Sequence, residues 1–317
     1  SQQDMMLSQL NEQQVAELAE KSNVETMKRF NERPGTVSNQ YLHDLYRFFK
    51  LSVRRNEFRD IFKEKLDLHH VPALDNLLYC EEELFPIADF YLSKERWDEA
   101  IDIYKELIEI GGFEGEGAEY YQKFGYALQK RKRYAEAIEA YLKADTLKPD
   151  NIWNNRHLAT CYRLNRNYEA ALAYYKKVEE ATPEDTNVIF HIGSCLAELG
   201  QYEEAANYFF KLDFIESNCI KAWRGIGWCS FISRKYEQAM KYYEKIIEQK
   251  PLAIDYMNAG HVAWTMGDIQ KAAALYGKSI TANGNRERFL EMFRKDKEAL
   301  LKQGIQEEDI PLMLDLL

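Results

Sequence analysis

The sequence predicts an all-α fold in which pairs of helices stack into one solenoid. A pattern of about 34 residues recurs five times, and each recurrence places an aromatic residue four positions after a small one. The small residues are Ala137, Ala171, Ala205, Ala239 and Ala272, and the aromatic residues are Tyr141, Tyr175, Phe209, Tyr243 and Tyr276. Repeats of this length are typical of stacked helical units. Solenoids present long surfaces, so a functional site is expected on a surface and not in one enclosed pocket.

Two amphipathic helices are predicted in each unit, because apolar residues recur at positions i, i+3, i+4 and i+7 in two stretches. Short polar turns at 129–133, 165–167, 200–201 and 266–268 separate these stretches. The first stretch of each unit also contains a small residue, namely Gly125, Ala159, Gly193, Gly227 or Gly260. We expect the small residues to let two helices approach while the aromatic side chains fill the space beside them. Leu at Gly125 or Ala137 should overpack this contact by roughly 1–3 kcal/mol.

The best unit, 118–151, carries a recognisable signature. Its residues are Tyr121, Phe124, Gly125, Leu128, Ala137, Tyr141, Ala144 and Pro149. This pattern resembles the tetratricopeptide repeat (TPR). An upstream unit also fits the pattern, with Leu84, Ile87, Ala88, Tyr91, Trp97, Ala100 and Tyr104. The resemblance implies a right-handed α-α superhelix, a TPR solenoid of about six helix pairs. The units predicted from it are 81–117, 118–151, 152–185, 186–219, 220–252 and 253–286.

Helical segments are also predicted on both sides of the repeats. Residues 1–80 form a helical N-terminal segment, for which a degenerate TPR pair is one interpretation. Residues 287–317 are expected to contain a C-terminal capping helix, within the amphipathic stretch Arg286–Lys302, and an acidic-apolar tail. The tail either packs on the final repeat or acts as a ligand for the groove of its own or another copy. Self-association through the tail is therefore one hypothesis.

Composition narrows the class of protein. A net charge of -10 argues against a general nucleic-acid binder, whose affinity depends on Lys and Arg facing phosphates. No apolar run is long enough for a membrane span, and no signal-peptide pattern opens the chain. We therefore expect a cytoplasmic protein, although a removed leader stays open because the chain starts with Ser1 and not Met.

Three cysteines show how the repeat register constrains chemistry. Cys161, Cys195 and Cys229 follow one another at intervals of one repeat and hold the same position in three successive units. Ala127 and Val262 occupy that position in the flanking repeats. A free Cys behaves as a small apolar side chain when buried. We therefore predict three core positions and neither a redox site nor a metal site.

No enzymatic, cofactor or metal function is predicted. Phosphate-binding, dinucleotide-binding, zinc-protease and nucleophile-elbow motifs are missing from the sequence. The pair His69-His70 is interpreted as part of a solvated connection, and the segment 111–117 as a loop inserted between two repeats. His157, His191 and His261 lack an acidic or thiol partner in register, which argues against a shared metal ion.

In TPR proteins the first helix of each pair lines an inner groove, and the resemblance assigns groove positions to this chain. The predicted groove residues are Tyr126, Trp153, Arg156, His157, Thr160, Arg163, Asn187, Phe190, His191, Lys221, Arg224, Trp228, Phe231, His261 and Trp264. This set is aromatic and basic in an acidic protein. It suits a protein or peptide partner with apolar anchors and acidic groups.

Some TPR co-chaperones hold a C-terminal carboxylate with a defined set of Lys, Arg and Asn residues. The corresponding positions here are Arg156, Thr160, His191, Lys221 and Gly225, so both asparagines are missing and the clamp is half formed. We therefore predict a non-catalytic protein- or peptide-binding scaffold that uses the inner groove. The alternative is a cargo chaperone or assembly factor that shields an apolar segment of its partner, as TPR chaperones of secretion systems do.

Overall fold

The computed structural model describes residues 81–110 and 117–317, which form 14 α-helices and no strands. The predicted segment 1–80, with His69-His70 and Cys80, and residues 111–116 of the predicted loop lie outside the described residues. The helices are α1 (Glu81–Ser93), α2 (Trp97–Ile110), α3 (Gly117–Lys130), α4 (Tyr134–Leu147), α5 (Ile152–Leu164), α6 (Tyr168–Ala181), α7 (Thr186–Glu198), α8 (Tyr202–Ile215), α9 (Ile220–Ile232), α10 (Tyr236–Ile247), α11 (Ala253–Thr265), α12 (Ile269–Asn283), α13 (Arg286–Lys302) and α14 (Asp309–Asp315).

The first twelve helices form six pairs, and a three-residue turn joins the two helices of each pair. The middle residue of every such turn has a positive φ, between 56° and 84°. These residues are Glu95, Lys132, Arg166, Gly200, Arg234 and Gly267. Because only glycine adopts this region without steric cost, Gly200 and Gly267 suit it best. The predicted all-α stack of helix pairs is confirmed.

Close approach of small residues to aromatic rings holds each pair together. A Cβ atom added at Gly125 would lie 2.9 Å from the Tyr141 ring, and one at Gly260 would lie 2.5 Å from the Tyr276 ring. The six aromatic residues at this register position are buried. They are Tyr104, Tyr141, Tyr175, Phe209, Tyr243 and Tyr276. The predicted interlocking of small and aromatic residues is confirmed.

The three cysteines in register are buried and unpaired, as predicted. Burial raises the pKa of the Cys161 and Cys229 thiols to about 12 and that of Cys195 to about 11. A thiol with so high a pKa is protonated at neutral pH and reacts poorly. These residues therefore fill the core.

The first helices of the pairs define the inner face of the stack. α3 contacts α5, α7 contacts α9, and α9 contacts α11, whereas the described second helices do not contact each other to a comparable extent. Because the first helices lie closer together, their shared surface is the concave one. None of the described helices combines the length and apolar character needed to cross a membrane.

Helix α13 ends the stack and crosses the inner face of the last two pairs. Phe289, Phe293 and Leu300 are buried in the core on its inward side. At its C-terminal end the Arg234 guanidinium donates to the carbonyl of Lys302, in a contact of 3.1 Å. The helix therefore extends from the sixth pair back to the turn of the fifth pair. It caps the end of the stack and covers part of the inner face.

The acidic-apolar tail packs on this cap. Ile310 and Met313 of α14 are buried in the core, and Arg286 donates to the carbonyl of Leu314 over 2.7 Å. Leu312 on α14 and Leu316 directly after it are 64% and 63% exposed. The tail was predicted to pack on the final repeat or to act as a ligand; in the structure it packs beside the capping helix, and one apolar stripe stays at the surface.

Candidate functional site

An aromatic cluster lies on the inner face of the second and third pairs. Ring centroids of Trp153 and His157 on α5 are 4.0 Å apart, and Tyr126 on α3 lies 6.0 Å from Trp153. Trp97 extends the cluster, with its ring 5.9 Å from that of Tyr126. Trp153 remains 42% exposed despite these contacts. An exposed tryptophan backed by fixed rings is typical of an anchor for a partner side chain.

Polar contacts hold the His157 ring in this cluster. The Tyr141 hydroxyl donates to Oε1 of Gln129 over 2.9 Å, and Nδ1 of His157 lies 2.9 Å from the same oxygen. Since that oxygen accepts both contacts, Nδ1 of His157 carries the proton. Burial, with the charges of Arg156 and Lys130, lowers the pKa of His157 to about 4. The ring is therefore neutral at physiological pH and presents an uncharged stacking surface.

Lys130 lies close to two rings of this cluster. Its Nζ lies 5.0 Å from the centroid of Tyr126 and 5.9 Å from that of Trp97. A further cation is Arg163 at the end of α5, whose Nε lies 3.4 Å from the Tyr175 hydroxyl. The ion pairs found in residues 81–110 and 117–317 do not include Arg163. Its charge is therefore available to a partner carboxylate.

A second aromatic group continues the surface onto α7. His191 stacks on Tyr175 with centroids 5.4 Å apart, and Phe190 lies 5.5 Å from His191. Burial and the charges of Arg163 and Lys221 lower the pKa of His191 to about 4. We name the continuous surface the open groove, which consists of Tyr126, Trp153, His157, Arg163, Phe190 and His191.

Two arginines predicted for the groove are neutralised by aspartates at the start of the following helix pair. Arg156 donates to Oδ2 of Asp185 over 2.7 Å, and Arg224 makes a bidentate pair with Asp255 at 2.7 Å and 2.7 Å. Asp185 also caps α7, and Asp255 is fully buried. Since Asp255 is buried, losing Arg224 would leave an unpaired charge in the core. Both arginines join repeats to one another, so we leave them out of the open groove.

The half-formed carboxylate clamp does not assemble in the structure. Arg156 is paired with Asp185, and Thr160 donates to the carbonyl of Arg156 over 2.8 Å. At Gly225 an added Cβ would lie 2.5 Å from the Phe209 ring, so this position has no space for a cationic side chain.

Helix α13 covers the C-terminal part of the predicted groove. Phe231, His261 and Trp264 are buried, and the rings of His261 and Trp264 lie 5.4 Å and 6.4 Å from Phe293 of this helix. Nε2 of His261 is 3.5 Å from Oδ2 of Asp296 on the same helix. A partner cannot reach these three side chains while α13 is in place, so we leave them out of the open groove.

The remaining predicted residues lie at its margins. Asn187 is exposed at the start of α7, and Trp228 is half-buried with its ring 5.6 Å from that of Phe231. Lys221 lies 5.9 Å from the Phe190 ring and pairs with Glu216 at 3.3 Å. Trp97, Gln129 and Lys130 were not predicted. Lys130 follows Tyr126 by four residues, a helical spacing that could have indicated their contact.

The three described histidines do not come together with acids or thiols as a metal site requires. Across residues 81–110 and 117–317, no group of three or more His, Cys, Asp and Glu side chains has that arrangement. His157 and His191 instead stack on Tyr141 and Tyr175, and His261 stacks on Phe231.

Comparison with known families agrees with this geometry. Sequence models of the tetratricopeptide repeat match residues 84–112, 220–251 and 256–286. The chain belongs to the tetratricopeptide repeat family. Residues 130–212 of this TPR protein also match the family described as anaphase-promoting complex, cyclosome, subunit 3. No curated protein matches the sequence.

Solved structures similar to this TPR protein share its fold. One is a tetratricopeptide repeat protein from Parabacteroides merdae, with 19% identity and a TM-score of 0.54 over 74% of this chain and 98% of that one. Another comes from the functional characterisation of Pseudomonas aeruginosa pilF, with 17% identity and a TM-score of 0.50 over 68% of this chain and 97% of that one. The fold favours a protein-interaction scaffold.

Proposed function

We propose that this TPR protein is a non-catalytic scaffold that binds a segment of a partner protein in the open groove. The observation that carries the proposal is Trp153, which is 42% exposed while Tyr126 and His157 hold its ring from the side. Aromatic side chains fixed in this way supply most of the affinity at many protein interfaces. The surface is long and shallow, which suits an extended or helical peptide.

The charges in the groove support a partner with one carboxylate beside an apolar anchor. Arg163 faces the groove without an acid in the described part of the chain, whereas Arg156 and Arg224 are paired with Asp185 and Asp255. His157 and His191 are neutral at pH 7 because burial lowers the pKa of each ring to about 4. The groove therefore favours an apolar segment with a single Asp or Glu over a strongly acidic peptide.

Selection from a random peptide display library, followed by affinity measurement, tests this function. Peptides that bind the wild-type protein should contain an apolar residue close to Asp or Glu. Their Kd should rise at least tenfold for Trp153→Ala, a loss of about 1.4 kcal/mol or more. Phe214→Ala is the matched control, because Phe214 on α8 is 89% exposed and lies on a second helix.

Charge reversal separates the role of Arg163 from a general effect of charge. Arg163→Glu should weaken binding of the acidic peptides, while Lys241→Glu on the exposed surface of α10 should leave it unchanged. Selected peptides that bind Trp153→Ala and Arg163→Glu as tightly as the wild type would exclude the open groove as the binding site.

The alternative to a scaffold function is a cargo chaperone that uses the same open groove. The neutral, aromatic part of the groove around Trp153 and His157 favours it, because such a surface can shield an apolar segment from water. A scaffold binds partners that are soluble alone, whereas a chaperone binds partners that aggregate alone. The solubility of the isolated partner, measured by sedimentation with and without this protein, therefore decides between them.

Self-association through the tail is a separate hypothesis. Leu312 on α14 and Leu316, the residue that follows this helix, are four residues apart and largely exposed, which supports contact with a second copy. Light scattering of the wild type should then give a mass above that of the monomer, and Leu312→Glu with Leu316→Glu should restore the monomer. A monomeric wild type at high concentration would exclude this hypothesis.

A further inference from the structure

Tyrosines at one register position fill the space between neighbouring second helices. Tyr174, Tyr208 and Tyr242 hold the same position in successive repeats, on α6, α8 and α10. The hydroxyl of Tyr208 donates over 2.9 Å to Oε2 of Glu179, an acid on the second helix of the preceding repeat. Each of these tyrosines therefore occupies a slot against the preceding repeat.

The other two tyrosines face acids at the position that corresponds to Glu179. Burial and the carboxylate of Asp145 raise the pKa of Tyr174, and burial and the carboxylate of Asp213 raise the pKa of Tyr242. Asp145, Glu179 and Asp213 are themselves separated by one repeat each. A tyrosine in one repeat is thus matched with an acid in the repeat before it.

A lysine covers each of these rings from three residues further along the helix. The Nζ atoms of Lys177, Lys211 and Lys245 lie 5.1 Å, 5.9 Å and 4.7 Å from the ring centroids of their tyrosines. This spacing is within the range of a cation–π interaction. Each slot therefore holds an aromatic ring, with a lysine over the ring and an acid at the end of the slot.

Between the first and second repeats this arrangement is changed in two places. Ala140 stands at the tyrosine position and Ile108 at the acid position, while Lys143 keeps the position of the covering lysine. At the junction of the fifth and sixth repeats, both the tyrosine and the acid are also replaced. Leu275 stands at the tyrosine position there, with Ile247 at the acid position, and the Leu275 side chain is buried. Ala140 is much smaller than Leu275 and cannot fill the same space.

The consequence is a cleft of about 690 Å³ between α2 and α4, on the side of the stack away from the open groove. Ile108, Phe124, Ala140 and Leu142 give it apolar walls. Its rim carries both charge signs, from Lys105 and Lys143 and from Glu109, Glu136 and Glu139. Sites for small ligands and side chains typically have about 300–1,000 Å³.

We propose that this cleft binds a phenylalanine side chain of a partner protein segment. Three neighbouring repeats already hold an aromatic ring in the equivalent slot, and Lys143 is placed to cover one here. Ile108 replaces the acid that receives a tyrosine hydroxyl, so a ring without a hydroxyl fits better than tyrosine. The mixed rim does not select a charged group. This surface is independent of the open groove.

Fluorine NMR with N-acetyl-4-fluorophenylalanine methylamide tests the cleft directly. Its resonance should broaden in a saturable way with the wild-type protein. Ala140→Tyr places a ring in the cleft from inside, as in the next three repeats, and should weaken probe binding at least tenfold. Ala140→Leu introduces the residue found at the junction of the fifth and sixth repeats and should weaken probe binding as well. The test therefore does not depend on the folding of a single variant. Lys143→Ala should weaken binding a fewfold.

Matched controls make the outcomes decisive. Ala135→Tyr adds a ring on the exposed side of α4 and Trp153→Ala changes the open groove, and neither should alter binding of the probe. Equal broadening with wild type and both Ala140 variants would overturn the proposal. Equally tight binding of N-acetyl-leucine methylamide would overturn the preference for a ring. Phe113 belongs to the sequence segment 111–117 between the first two repeats. Probe binding that appears only after Phe113→Ala would assign the cleft to a side chain of this protein, which also overturns the proposal.

Discussion

A glycine facing an aromatic ring determines how closely the two helices of a pair approach. The Cβ atom of an alanine at position 260 would lie 2.5 Å from the Tyr276 ring, a distance that requires the ring or the helix to move. We expect Gly260→Ala to lower the free energy of unfolding by about 1–3 kcal/mol, measured by urea denaturation.

Gly277→Ala on α12 is the control for this prediction. No atom of the described residues outside its own helix turn lies within 4 Å of its added Cβ, so the substitution should be neutral or stabilise by about 0.5–1 kcal/mol through reduced freedom of the unfolded chain. Equal effects at both positions would show that ring contact does not matter there.

His191 should make the protein less stable in acid. Its pKa is lowered to about 4 in the folded protein, mainly by burial, while in the unfolded chain it is near 6.5. Between pH 6.5 and 4 the unfolded chain therefore binds a proton that the folded protein does not, and stability falls as the pH falls. Nδ1 of this ring has no hydrogen-bond partner within residues 81–110 and 117–317, so phenylalanine can replace the stacked ring.

We expect the wild type to lose about 1–2 kcal/mol more than His191→Phe between pH 7 and pH 4, since partial exposure reduces the full effect of the pKa shift. Urea denaturation of both proteins across this range measures the difference. Parallel pH profiles would contradict the lowered pKa.

The sequence predicted the burial of single residues correctly where the same position recurs in successive repeats. It placed Cys161, Cys195 and Cys229 in the core, because one register position has the same surroundings in every repeat. It assigned Arg156 and Arg224 to the groove, because the register shows which helix face a side chain is on but not its partner. Those partners, Asp185 and Asp255, follow 29 and 31 residues later and form ion pairs only once the repeats stack.

At the scale of helices, α13 decides which part of the inner face is accessible. Phe293 is buried against His261, Trp264 and Tyr276. We expect Phe293→Ala to lower the free energy of unfolding by about 3–5 kcal/mol, because it leaves a cavity beneath the helix. Arg294→Ala, at the exposed neighbouring position, should change it by less than about 0.5 kcal/mol.

Thermal and urea denaturation of both variants measure this effect. A Phe293→Ala protein as stable as Arg294→Ala would mean that α13 packs loosely. Phe231, His261 and Trp264 would then return as groove residues.

The bounds of α13 could be predicted, because its apolar residues recur with helical spacing over Arg286–Lys302. Its path could not be predicted from periodicity. The helix crosses the fifth and sixth pairs because contacts far apart in sequence fix it, among them the Tyr236 hydroxyl donating over 2.9 Å to Oε1 of Gln303. Because the path of α13 could not be predicted, the sequence analysis assigned Phe231 and Trp264 to the groove.

For the whole molecule, stacking of near-identical units gives the fold, and departures from the common pattern give the candidate sites. Trp153 and Arg163 distinguish the third repeat on the inner face. Ala140 and Ile108 distinguish the first junction on the other side. The departure at Ala140 can be seen in the aligned repeats, because three later repeats have tyrosine at this position. Its meaning needed the structure, because the cleft depends on two helices that are far apart in sequence.

The most direct test of the open groove is to map where a bound peptide lies. A peptide selected on the wild-type protein would carry a photoreactive benzophenone, and mass spectrometry would locate the cross-linked residues. The account predicts cross-links on α3, α5 and α7, between Tyr126 and His191, and their loss in Trp153→Ala but not in Phe214→Ala. Cross-links confined to second helices, or to residues covered by α13, would contradict it.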